Sequence, residues 1–124
     1  MGLRRFLHTR KLLRHQRGLL NAIDNSTVRY SDSPGIALDH PVVITGAGHD
    51  MIGTMAIFAW LIKKRGIQNV DWQVCRKWGH RTDQRQIDIY EIQSRDGVLE
   101  TFYFDITESY GKWPDDYFES RDDT

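Results

Sequence analysis

The sequence predicts a small α+β domain: a mostly antiparallel sheet of about four strands, packed by a buried helix over residues 50–65, with a basic amphipathic helix at the N-terminus. Three observations lead there. The segment Val42 to Phe58, "VVITGAGHDMIGTMAIF", passes from a β-branched apolar run through clustered glycines into a helical pattern. Three β-rich segments follow in succession, the last two separated by Asp96-Gly97, a strong hairpin signal. The first 23 residues hold six cations and no acid.

Taken in order, residues 3–23 read as helix. Leu12, Leu13, Leu19, Leu20 and Ile23 fall within about 120° of one another at about 100° per residue, with Lys11, Arg14, His15 and Arg17 on the other side. Residues 24–40 are dense in turn formers, with a short extended piece expected at 28–30. A strand over 41–45 leads into helix 50–65, with Asp50 read as its N-cap, Lys63-Lys64-Arg65 as its last turn and Gly66 as its stop. That helix is apolar almost all round, so it needs cover on two sides: a sheet on one, the N-terminal helix or a second copy of the chain on the other.

Strands are expected over 71–78, 85–93 and 98–106, with Trp72, Val74 and Trp78 on one face of the first. A two-residue Asp96-Gly97 loop would set Ile89 opposite Phe104 and Asp88 opposite Asp105. Three segments result: a basic helix over 1–24, one α+β domain over 25–112, and an acidic tail over 113–124 whose last ten residues carry five acids and one arginine.

Length and composition narrow the class. A chain of 124 residues is expected to form one domain that buries roughly two-thirds of its unfolded surface. The one cysteine, Cys75, permits no intrachain disulfide and is read as a packed mid-strand hydrophobe. The longest uncharged apolar run, Met51 to Ile62, is too short to cross a bilayer. A cytoplasmic location is the simplest expectation. An organellar one follows if the Arg-rich, acid-free residues 1–23 are a targeting segment, which they resemble. The net charge of zero hides an asymmetry, because residues beyond 23 carry 11 of the 17 basic residues and all 17 acidic ones.

Three places carry candidate chemistry. The glycine cluster resembles the opening of short-chain dehydrogenases, which would imply a bound dinucleotide. Their pattern, however, wants glycine where Asp50 and Ile52 stand, and a carboxylate at a helix N-terminus competes with phosphate. What remains there is a turn, or a nest of backbone amides at Gly46, Gly48 and His49 for a small anion or nucleotide. On the hairpin, Asp88-x-x-Glu91-x-Gln93 resembles the carboxylate strand of metal-dependent nucleases, and Asp88, Glu91 and Asp105 are the residues a hydrolase of that kind would use. No His/Cys spacing marks a metal site and no motif calls for a cofactor, so neither is expected. The third place is the basic helix. Arg10, Lys11, Arg14 and Arg17 point to a non-enzymatic binding or assembly module whose partner is an acidic protein, nucleic acid or another copy of the chain.

Overall fold

A computed structural model describes the backbone of residues 2–114 and the side chains of residues 9–114. Its elements are α1 (Gly2–Asp24), β1 (Arg29–Tyr30), β2 (Val42–Thr45), α2 (Asp50–Arg65), β3 (Trp72–Arg81), β4 (Gln86–Ser94) and β5 (Leu99–Asp105). The acidic run at 115–124 lies outside the described residues. The α+β class holds, with five strands rather than about four, because the extended piece at Arg29–Tyr30 pairs with β2. The sheet order is β1-β2-β5-β4-β3, antiparallel throughout except for β2 beside β5.

Helix α2 explains that order. It leaves the end of β2, crosses one face of the sheet and delivers the chain to β3 at the far edge. Its apolar residues meet a ring lattice on the sheet. Phe58 lies edge-on to Tyr90 at 5.6 Å, and Trp60 lies edge-on to Phe102 and Phe104 at 5.4 and 5.3 Å. Ala56, Ile57, Ala59 and Leu61 have no exposed surface.

The far side of α2 is covered by the C-terminal half of α1. Ile23 is buried, and Leu19 and Leu20 pack against the same core. The same helix is tied to the segment after α2 by Gln16, 5% exposed, which makes a paired bond to the backbone of Gln68: Nε2 donates to the carbonyl at 2.9 Å, and Oε1 accepts from the N–H at 2.8 Å. An ion pair between Lys63 and Asp24 fixes the other end. Among the described residues no helix is long and apolar enough to cross a membrane.

Several local expectations need correction. The N-cap of α2 is His49, with no side-chain capping bond, and Asp50 is the first helical residue, whose N–H donates to the Lys112 carbonyl at 2.9 Å. The β4–β5 loop has three residues, not two. Gly97, at φ +88°, donates to the Ser94 carbonyl, and Ser94 pairs with Val98 through its N–H and its Oγ. That single extra residue shifts the register by one, so Asp88 faces Phe104, and Asp105 faces Ile87.

In β3 the register slips between Val74 and Arg76, a bulge that carries Cys75. Val74 stays opposite Ile92 on the α2 face, but Trp78 comes opposite Ile89 on the other face, so Trp72, Val74 and Trp78 do not share one side. Cys75 is consequently exposed rather than packed.

If the C-terminal half of α1 is core and not an appended arm, Ile23→Asp should cost about 3 kcal/mol or more of unfolding free energy. Arg14→Asp on the same helix should cost less than about 0.5 kcal/mol. Chemical denaturation of the two variants checks this, and equal effects would place α1 outside the core.

Candidate functional site

The glycine turn is closed by the chain itself. Gly46 sits at φ +75°, and a Cβ there would lie 2.0 Å from the Thr27 carbonyl oxygen, so no other residue fits. Its N–H donates to Glu108 Oε1 at 2.9 Å, and Thr27 Oγ1 donates to its carbonyl at 2.6 Å. Gly48 is left-handed at φ +81°, and His49 follows it as the cap of α2. Gly53 makes room for the fully buried Ser109, whose Oγ would lie 2.5 Å from an added Cβ. A carboxylate and a carbonyl of the turn after β5 thus hold the amides of Gly46, one of the three expected to form an anion nest, and of Asp50, the first residue of α2.

The hairpin carboxylates are not brought together. Asp88 points to the α2 face, while Glu91 and Asp105 lie on the opposite face, four positions apart along the strands or about 14 Å at 3.4 Å per residue. Asp105, 5% exposed, is fully engaged. It accepts from Arg85 Nε at 2.9 Å and Nη2 at 2.8 Å, and from the Thr107 N–H and Oγ1 at 2.9 and 2.5 Å. Among the described residues no group of three metal-ligating side chains forms. Three of the surface clefts, none above about 350 Å³, contain no paired carboxylates, cysteine or histidine.

On α1, Arg10, Lys11, Arg14 and Arg17 are all exposed on the side away from Gln16 and Ile23. Leu12 is half-buried and Leu13 is 38% exposed, so the apolar stripe seats on α2 only from Gln16 onward.

A second basic surface is one that sequence patterning passed over. Strand β3 is exposed from Cys75 to Arg81 and carries Arg76, Lys77, His80 and Arg81 around Trp78, with no acid among them. Each of its three permanent cations lies over an aromatic ring: Arg76 over Trp78 at 4.7 Å, Lys77 over Tyr90 at 5.3 Å and Arg81 over Tyr110 at 5.2 Å. None of the three has a carboxylate within ion-pair distance among the described residues. In contrast, Lys63, Arg65 and Arg85 are paired with Asp24, Glu100 and Asp105. The run "CRKWGHR" was the available signal, and only its edge position and exposure give it meaning.

Lys77 also belongs to a half-buried polar group with Asp88 and Tyr90. Burial acts to lower the Lys77 pKa, but Tyr90, Asp88 and Asp50 outweigh it and hold the ammonium above its ordinary value. Burial raises Asp88, against the pull of the Gln86 amide and Lys77, and Asp50 adds to the rise. Burial likewise raises the Tyr90 phenol, against Lys77. Tyr90 Oη and His49 Nδ1 are buried without a hydrogen-bond partner among the described residues.

Comparison with protein-family models, curated proteins and solved structures found no match to this chain.

The two hairpin aspartates should separate on substitution. Asp105→Ala strands Arg85 and the Thr107 N–H, and should cost about 2–3 kcal/mol of stability. Asp88 is different, because a carboxyl raised in the folded state favours folding when protonated, and that advantage is lost as pH rises through its folded value. Asp88→Asn should therefore compare best with wild type near neutral pH, and the difference should shrink on acidification. Thermal unfolding of both variants across pH reads this directly.

Proposed function

We propose that this protein is a non-enzymatic binding module for an acidic partner, with β3 as its principal contact surface. The observation that carries the reading is the run Arg76, Lys77, Arg81: three cations on an exposed edge strand, each laid on an aromatic ring and none ion-paired among the described residues. Lys63, Arg65 and Arg85, by contrast, are each matched to a carboxylate within the chain. A ring face stabilises a cation without cancelling its net charge, so β3 projects a positive field that an acidic partner would complement. Trp78, 36% exposed, adds apolar area beside that charge.

The basic face of α1 is the second surface of the same kind. It is helical, sits on the layer farthest from the sheet and depends on α1 staying docked through Gln16 and Ile23. Its contribution is long-range attraction that raises the association rate rather than a shaped contact.

Polyglutamate is the simplest probe, with binding followed by titration calorimetry at low and moderate salt. Arg76→Glu combined with Arg81→Glu should weaken binding by about tenfold or more, whereas Arg14→Glu with Arg17→Glu should change it by less than about threefold. Absence of binding at low salt, or equal affinity for the β3 double variant and wild type, would rule the reading out.

A further inference from the structure

We propose that the outer edge of β3 from Arg76 to Arg81 takes an extended acidic peptide segment of another protein as a sixth strand of the sheet. The inference rests on the binding role assigned to β3 above and specifies the form of the partner.

The sheet has two edges and only one is usable. At the β1 edge the strand is two residues long. At the β3 edge the beginning is covered: Gln68 bridges Trp72 in parallel, and the Asn69 N–H donates to the Trp72 carbonyl at 2.6 Å. Past the bulge at Cys75, the six residues Arg76 to Arg81 pair without interruption with Glu91 to Gln86, a regular strand of about 20 Å.

Its hydrogen-bonding phase is fixed by the turn that follows. The Thr82 N–H donates to the Arg85 carbonyl at 2.9 Å, and Gln86 directs its own carbonyl to Ile106 on the β5 side. Alternation in an antiparallel ladder then turns the backbone groups of Trp78 and His80 toward β4 and those of Lys77, Gly79 and Arg81 outward. Three N–H and three C=O groups thus alternate along an edge beside which no strand of the described residues lies.

That alternation selects the chemistry of the occupant. A polypeptide strand supplies donors and acceptors in the same alternation, as strand addition requires. A phosphate backbone supplies acceptors only and would set its oxygens against the outward carbonyls of Lys77, Gly79 and Arg81. Side chains select within polypeptides. On the α2 face an added strand would run beside Lys77 and Arg81, and on the other face beside Arg76, Trp78 and His80. Acids at alternate positions satisfy the cations, and an apolar residue suits Trp78. A second copy of β3 would instead set like charges against one another, so the charge that protects this edge from self-association also defines what it accepts.

The test uses the full chain and a short peptide alternating glutamate and valine, together with two backbone N-methylated versions of it, one for each alternate set of residues. The parent should bind. One methylated version should lose about tenfold or more in affinity, because its methyls replace the N–H groups facing β3, while the other stays near the parent. Equal affinity of all three peptides would overturn strand addition and leave the binding role of β3 standing. An oligothymidylate that binds through Arg76 and Arg81 where the peptide does not would overturn the partner class. A dimer of the free chain that the peptide dissociates would assign the edge to a second copy, and would also overturn it.

Discussion

The structure depends on covering one helix on two sides. From Met51 to Ile62, α2 contains no charge, and Ala56, Ile57, Ala59 and Leu61 lose all contact with water. Burying one face against Tyr90, Phe102 and Phe104 would still leave an apolar back exposed. The C-terminal half of α1 closes it with Leu19, Leu20 and Ile23, and the Gln16–Gln68 pair supplies the directional bond that a purely apolar seam lacks. Loss of either layer exposes part of the same core, which ties the two helices and the sheet into one cooperative unit.

Much of this architecture was legible because it follows from periodicity and from residues with special backbone freedom. The apolar helix, the glycine turn before it and the hairpin at Asp96-Gly97 are each written locally. What was not legible depends on single-residue slips that no local pattern announces. The Ser94 side chain bonds the Val98 N–H and closes a three-residue loop, which moves Asp88 and Asp105 onto opposite faces. Cys75 occupies a bulge, which sends Trp78 to the face opposite Val74 and brings Lys77 onto the α2 face. In a strand of period two, one residue out of step reverses every facing downstream. The carboxylate pair that looked like chemistry was an assumption about register.

The candidate site shows the same division. The exposure of Arg10, Lys11, Arg14 and Arg17 follows from helical periodicity. The importance assigned to Arg76, Lys77 and Arg81 does not, because it needs the strand order that leaves β3 at an edge and the tertiary placement of Tyr90 and Tyr110 beneath two of the cations. The glycine cluster moved the other way: Gly46, Gly48 and Gly53 each have a reason in backbone conformation or packing, and Glu108 takes the Gly46 amide. Charge is balanced within the chain at Asp24, Glu100 and Asp105, and it is left unbalanced on β3.

Residue-resolved amide hydrogen exchange on the full chain, with and without the alternating glutamate–valine peptide, tests the central claim most directly. Without peptide, Trp78 and His80 should already exchange slowly, while Lys77, Gly79 and Arg81 exchange fast. With peptide, those three should slow together, giving continuous protection from Trp78 to Arg81. Unchanged fast exchange at Lys77, Gly79 and Arg81, with new protection confined to α1, would contradict the account and move the partner surface to the helix.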